Sequence, residues 1–389
     1  MDRLYEYMHR LLDEVPTAFY RYMYPQVNWD GRMLGIVGPR GVGKTTMLLQ
    51  RAKELIGSSR VLYVTADSMY FASHTLYDTA EAFVKQGGSH LLIDEVHKYP
   101  SWSRELKAVY DAFPDLHVCF TGSSILDIEK GEADLSRRAP RYLMQGLSFR
   151  EFLGMRHGIA FDAFTLDEVL EHKARIPDVK HPLPYFAEYL RSGYYPFGSD
   201  PDFPIELGQV IARTLEVDIP QFAEMNTATG RKLKQLMAVV STLAPFKPNM
   251  TSLAGKIQAS RNNIEDYLVY MEKAGMIARL ETGTGGLGAL GKTEKVYLDN
   301  TNILYNLGGG NVDVGTVRET FFFNQMRVRH RVTASALADF AIGGITFEVG
   351  GRSKGADQLK GAERGIVVKD DIEYGFGNVV PLWAFGLTY

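Results

Sequence analysis

At 389 residues the chain is too long for one typical core, and roughly two to four domains are expected. Its 43 basic and 46 acidic residues leave a net charge of −3, which excludes a bulk basic field, so any nucleic-acid binding would need a local patch. The single cysteine excludes an intrachain disulfide framework and cysteine-ligated zinc; with no leader-like N-terminus and no long apolar span, a soluble, cytoplasmic protein without membrane contact is expected.

The chain opens on a helical pattern, Leu4, Tyr7, Met8, Leu11 and Leu12, which reads as a helix packed beside the next domain. The apolar run Met33–Val37 then leads into Gly38-Pro39-Arg40-Gly41-Val42-Gly43-Lys44-Thr45-Thr46, and a helical pattern leads out to Leu55. Strand, glycine-rich turn and helix together are the setting of a P-loop. Gly38, Gly41 and Gly43 let the backbone amides, including those of Val42 and Thr46, turn toward phosphate oxygens. Lys44 supplies a point charge for the β- and γ-phosphates, and Thr45 a hydroxyl for Mg²⁺. ATP and Mg²⁺ are therefore the expected ligands.

Val61–Thr65 reads as a second strand, and His90-Leu91-Leu92-Ile93-Asp94-Glu95 as a third that ends in two carboxylates. After a P-loop, the first acid fits a Mg²⁺ ligand and the second the group that polarises the attacking water. A helix over Ser101–Phe113 and a strand over Leu116–Phe120 follow, the strand containing Cys119, which reads as a buried structural thiol. The strand tip carries Thr121 and Ser123, both fitted to sense the γ-phosphate; a capped turn is the alternative. Arg141–Met144 reads as a fifth strand, with Arg137, Arg138 and Arg141 on or beside it. An arginine there would neutralise transition-state charge on a neighbour's nucleotide, or remain a solvated surface charge.

These motifs, with Leu147-Ser148-Phe149-Arg150-Glu151-Phe152, resemble the AAA-type ATPases of bacteria and archaea that carry a C-terminal domain of unknown function related to PD-(D/E)xK nucleases. The resemblance implies an AAA-like core and a helical lid, and places the finger at Arg138, where members usually show a Gly-Arg pair. It also implies a vestigial nuclease site at Glu319, Asp339 and Glu348. Gly350 occupies the position of the family's lysine, so the domain is expected to be degenerate, with Lys354 a candidate to reach back across the flexible Gly350-Gly351 turn and replace it.

Between these lies a pattern of three helices and a glycine-rich loop, Gly283–Gly291, that reads as a winged helix. Arg261, Asn262 and Asn263 would face DNA, with Lys256, Lys292 and Lys295 as the sparse positive surround; packing against protein is the alternative. The nine histidines show no paired ligand spacing, so no metal beyond Mg²⁺ is expected.

The fold class read from the chain is α/β. An N-terminal helical segment (1–30) precedes a P-loop, AAA-like parallel-sheet core (31–150), a helical lid (151–229), a winged helix (230–305) and an α+β, restriction-endonuclease-like domain (306–389). The functional expectation is a Mg²⁺-dependent ATP-binding protein with slow hydrolysis, coupled to conformational switching and to a protein partner or self-association. The alternative is a DNA-coupled ATPase.

Overall fold

The computed structural model describes residues 1–122, 135, 137–223, 225, 227–283 and 292–389. Ser123, most of the polar stretch before Arg137, and the wing loop 284–291 lie outside the described residues. The chain divides into two compact units, Met1–Gly146 and Leu147–Tyr389.

In the first unit, α1 (Asp2–Glu14) is followed by β1 (Met33–Val37), α2 (Lys44–Leu55), β2 (Val61–Thr65), α3 (Leu76–Lys85), β3 (His90–Asp94), α4 (Trp102–Ala112), β4 (His117–Gly122) and β5 (Arg141–Leu143). The strands form one five-stranded sheet in the order β2-β3-β4-β1-β5, and every pairing is parallel. A parallel sheet needs crossovers that cover both faces, which is why β1 to β4 read as continuous apolar runs rather than alternations. One face packs Leu62, Val64, Leu91, Ile93, Val118 and Phe120 with residues of α3 and α4. The other packs Tyr63, Leu92 and Cys119 with Met8 and Leu12 of α1 and Met47 and Leu48 of α2. Cys119 is buried, and burial pushes its thiol well above the ordinary range, which fits a structural rather than a reactive sulfur.

In the second unit, α5 (Phe149–His157) starts from a capping box: Ser148 Oγ accepts from the Glu151 amide, and Glu151 accepts from the Ser148 amide. The Leu147–Phe152 motif thus has a local structural role, with Ser148 and Glu151 both buried. Then come α6 (Leu166–Leu170), α7 (Leu183–Ser192), α8 (Phe203–Arg213), a π-turn (Thr214–Asp218) and α9 (Ile219–Phe222). Next are α10 (Thr227–Leu243), α11 (Met250–Ile257) and α12 (Arg261–Lys273), then the antiparallel pair β6 (Ile277–Glu281) and β7 (Thr293–Leu298). Helices α13 (Thr301–Gly308) and α14 (Val314–Met326) precede β8 (Thr333–Ala334), β9 (Phe340–Ile342), β10 (Ile345–Gly350), β11 (Arg364–Lys369) and β12 (Val379–Pro381).

These last strands form a mixed sheet, β12-β11-β10-β9-β8, with β10, β11 and β12 parallel and β8, β9 and β10 antiparallel. Helix α14 is buried nearly all round: Phe321, Phe322 and Phe323 are at most 4% exposed, and the Phe322 ring packs at a tilt against Phe340 and Phe347 and edge-on against Phe385. The strand β12 and the buried 3-10 turn Leu382–Leu387 were not anticipated from the sequence. This tail docks through Tyr389, whose carbonyl accepts from Ser148 Oγ at 2.6 Å and Arg150 Nε at 2.8 Å. The pieces expected after residue 150 therefore pack as one unit.

Candidate nucleotide site and a second acidic cluster

The loop after β1 is glycine-rich for reasons of space and dihedral angle. A Cβ on Gly38 would lie 2.2 Å from the Met144 carbonyl oxygen, and Gly43 caps α2 at φ +98°. Gly41 also has a positive φ, and Val42 is fully buried under the loop. Lys44, in the first turn of α2, is 6% exposed; its Nζ donates to the carbonyls of Gly38 at 2.9 Å and Pro39 at 2.7 Å. The ammonium thus spans the loop from beneath. Thr46 is half-buried beside it, and Thr45 is exposed.

Asp94 ends β3 on the face that α2 covers. Thr45 Oγ1 donates to its Oδ2 at 2.8 Å, Tyr63 OH donates to the same oxygen at 3.0 Å, and Thr121 Oγ1 donates to Oδ1. The Glu95 amide in turn donates to Thr121 Oγ1 at 3.0 Å. Glu95 itself adopts φ +52°, a left-handed conformation that costs a non-glycine residue about 1–3 kcal/mol and that clusters at functional sites. Hence Thr121, left open between a sensor and a turn cap, bridges the two acids. His97, just beyond, is held down to about 3, by burial first and then by the positive charges of Lys98, Lys44 and Arg40, so it stays neutral at physiological pH. Burial, then the Asp94 charge, pushes the Tyr63 hydroxyl far above its ordinary range and keeps it a donor.

Two contributors had no signal in the sequence. Tyr63 lies in an ordinary apolar strand, and Arg21 in an irregular segment. Arg21 is 5% exposed and donates to the carbonyls of Val42 at 2.5 Å, Gln145 at 2.8 Å and Gly146 at 2.9 Å. It ties the P-loop to the segment after β5. Arg138 lies 3.2 and 3.3 Å from the Asp111 carboxylate and beside the Tyr110 ring, so it is anchored to α4 of its own unit, while Arg137 and Arg141 are exposed.

In the second unit Glu319, Asp339 and Glu348 lie close together, and lysines pair with them. Lys295 and Tyr297 alternate onto one face of β7; Lys295 Nζ lies 3.2 Å from Glu319 and 3.7 Å from Asp339, and Tyr297 OH donates to Glu319 at 2.7 Å. Lys354 reaches back across Gly350-Gly351 and pairs with Glu348, which is 1% exposed. Asp339 Oδ2 accepts from the Val349 amide at 2.9 Å. Burial holds Glu348 above the ordinary carboxylate range, with Asp339 and Glu319 adding to the shift and Lys354 opposing it. Among the described residues no group of three or more acids, histidines or cysteines is arranged to hold a metal ion.

Arg261, Asn262 and Asn263 are exposed at the start of α12, but Glu265 lies 4.0 Å from Arg261 and Asp266 is exposed beside it. Lys256 and Lys292 are exposed. Lys295, counted toward a positive patch, instead turns inward to the acids, which corrects that expectation.

Residues 30–153 match the family model described as an AAA domain, and residues 184–313 match one described as a domain of unknown function. The first stretch is an AAA-type P-loop ATPase domain. Among solved structures the chain is similar to a Walker-type ATPase of Pyrococcus abyssi at 14% identity and TM-score 0.47, over 76% of this chain and 99% of that one. It is also similar to AMPPCP-bound DnaA from Aquifex aeolicus, at 12% identity and TM-score 0.26, over 69% and 88%. PCH-2 of C. elegans matches at 13% identity and TM-score 0.27, over 69% and 66%. A search of curated proteins finds no match. Among the described residues, no helix is long and apolar enough to cross a membrane.

Proposed function

We propose that this protein binds Mg·ATP at the P-loop, hydrolyses it slowly, and uses the nucleotide state to switch a protein-binding surface or its own self-association. The observation that carries the reading is the meeting of Thr45 and Asp94, a hydroxyl and a carboxylate 2.8 Å apart beside the buried Lys44. Both are hard oxygen donors, the chemistry Mg²⁺ selects, so the residues fit that ion. Thr45 and Asp94 would hold Mg²⁺ there, and the ion would supply positive charge to offset that of the phosphates. The amides of Gly41 to Thr46 cradle the phosphates, aided by the positive end of α2. Lys44 exchanges its loop carbonyls for phosphate oxygens, and Glu95, held by its strained backbone beside Thr121, orients the attacking water. Arg138 serves as a finger only after leaving Asp111, a requirement that suits slow turnover.

Helices α10 to α12 with the β6-β7 pair support a winged-helix reading of 230–305, and α14 against the mixed sheet supports the nuclease-like reading of 306–389. We read the latter as inactive, because Glu348 and Glu319 are each engaged by an ammonium of the chain itself. The helical stretch 151–229 is read as the lid. The exposed Arg261 and Asn262 favour the second reading, an ATPase coupled to DNA. Phosphate release from Mg·ATP, with and without duplex DNA and with Lys44→Ala as the blank, decides between them. Turnover indifferent to DNA and lost in Lys44→Ala is the expected result; DNA-stimulated turnover installs the second reading, and turnover that survives Lys44→Ala overturns both.

A further inference from the structure

The register of the first sheet explains how a tyrosine reaches the nucleotide site. Tyr63 of β2 pairs with Leu92 of β3, so Asp94, two residues on, lies on the same face in the diagonal position. That diagonal is within reach of a long aromatic side chain, and the Tyr63 hydroxyl meets Asp94 Oδ2 at 3.0 Å. Tyr63 is 2% exposed, its amide donates to Met8 Sδ at 3.2 Å, and its ring is packed in the cluster under α1 and α2. The hydroxyl is therefore placed by the core, not by the site. A phenylalanine would fill the same space; what the hydroxyl adds is one donor on Asp94 Oδ2.

A carboxylate accepts at about four lone-pair positions. Thr45, Tyr63 and Thr121 occupy three on Asp94, all with neutral donors, so the carboxylate is held at both oxygens while its charge stays uncompensated by any of them. We propose that Tyr63 is a positioning residue that sets the divalent-cation affinity of the nucleotide site by fixing the Asp94 carboxylate against Thr45, without touching cation or nucleotide. This rests on the reading of Asp94 as the Mg²⁺ ligand. Outer partners of a metal-bound carboxylate typically contribute about 10- to 100-fold in metal affinity.

The test uses the full chain and a fluorescent ATP analogue, titrated in EDTA and across a Mg²⁺ series, with binding of Mn²⁺ in the presence of ADP followed by loss of the free-ion electron paramagnetic resonance signal. Tyr63→Phe is expected to keep the wild-type nucleotide affinity in EDTA and to require about tenfold more Mg²⁺ or Mn²⁺ for half-saturation. Adding Tyr63→Phe to Asp94→Asn is expected to change the cation requirement no further, because the hydroxyl acts through that carboxylate alone. Tyr63→Phe with a wild-type cation requirement, while Asp94→Asn raises it, overturns the inference and leaves the nucleotide-site reading standing. Asp94→Asn with a wild-type requirement removes the reading itself. Should Tyr63→Phe lose cooperative melting, nuclear magnetic resonance of the wild-type chain labelled at tyrosine Cζ decides: one resonance displaced by Mg²⁺ with nucleotide and by Asp94→Asn is expected, and no tyrosine responding to Asp94→Asn overturns the inference.

Discussion

The two acidic clusters of this molecule are built from the same side chains and dressed in opposite ways. Asp94 is surrounded by hydroxyls, those of Thr45, Tyr63 and Thr121, which orient a carboxylate and leave its charge in place. Glu319, Asp339 and Glu348 also take neutral donors, the Tyr297 hydroxyl and the Val349 amide, but they meet two ammoniums as well, Lys295 and Lys354, which offset much of their charge. Neutral donors preserve a cation's partner; charged donors replace the cation. The first arrangement suits binding, and the second holds β7, α14 and β10 together.

The largest expected effect lies at the first cluster's neighbour. Lys44→Ala should lower affinity for a fluorescent ATP analogue about a hundredfold, as expected for losing a charged hydrogen-bonding group worth about 1.5–3 kcal/mol. An affinity within a fewfold of wild type would show that the P-loop lysine does not hold phosphate. At the second cluster the damage should appear in stability instead. Lys354→Met removes the ammonium from buried Glu348, leaving it the Gln358 side-chain amide, and should destabilise by about 2 kcal/mol in urea melts, discounted for that remaining donor and because the lysine is one-third exposed. Lys354→Met with Glu348→Leu should recover most of that loss, since an apolar pair replaces a buried ion pair at little cost. Full stability in Lys354→Met would erase the contrast between the clusters.

A smaller effect is expected from pH. The Glu348 carboxyl is raised in the folded state, so the fold binds its proton more tightly than the unfolded chain does. Its contribution to stability is complete below the ordinary carboxylate range and is lost as pH rises through the raised value. Measured from pH 4 upward, the stability of Glu348→Gln relative to wild type should therefore improve; a flat difference would mean the carboxyl is not perturbed. The smallest effect is expected at the outer face. Arg261→Ala with Lys292→Ala should change low-salt retardation of duplex DNA by less than about threefold, because Glu265 and Asp266 beside Arg261 oppose phosphate and neither Arg261 nor Lys292 is expected to contact DNA. Complete loss of a strong wild-type shift would instead establish a DNA-binding face.

Much of the first unit was legible because its signals are local. The strand before Gly38, the helix after Gly43 and the acids closing β3 each depend on a few adjacent residues. Thr121 was visible as a strand-tip hydroxyl, but its bridging of Asp94 and Glu95 follows from β4 lying beside β3. Tyr63 and Arg21 were illegible: a tyrosine in an apolar strand reads as core, and an arginine in an irregular stretch reads as surface. In the second unit, the acids at 319, 339 and 348 were placed by resemblance and do come together. Lys295, which the sequence counts toward a sparse positive surround, pairs with Glu319 and Asp339 instead, because strand alternation tells which residues share a face but not what that face meets.

What the sequence by itself determined is the nucleotide loop and the strands and helices that frame it. A loop that needs positive φ at Gly41 and Gly43 and no Cβ at Gly38 must be written with those residues, within a few positions of one another. What only the tertiary structure decided is the dressing of the carboxylates. A hydrogen bond from Tyr63 to Asp94 or an ion pair from Lys295 to Glu319 spans 31 or 24 residues of chain, and it exists because sheet register and helix packing bring the two ends together. Backbone conformation is a property of neighbours in sequence, whereas electrostatic surroundings are a property of neighbours in space.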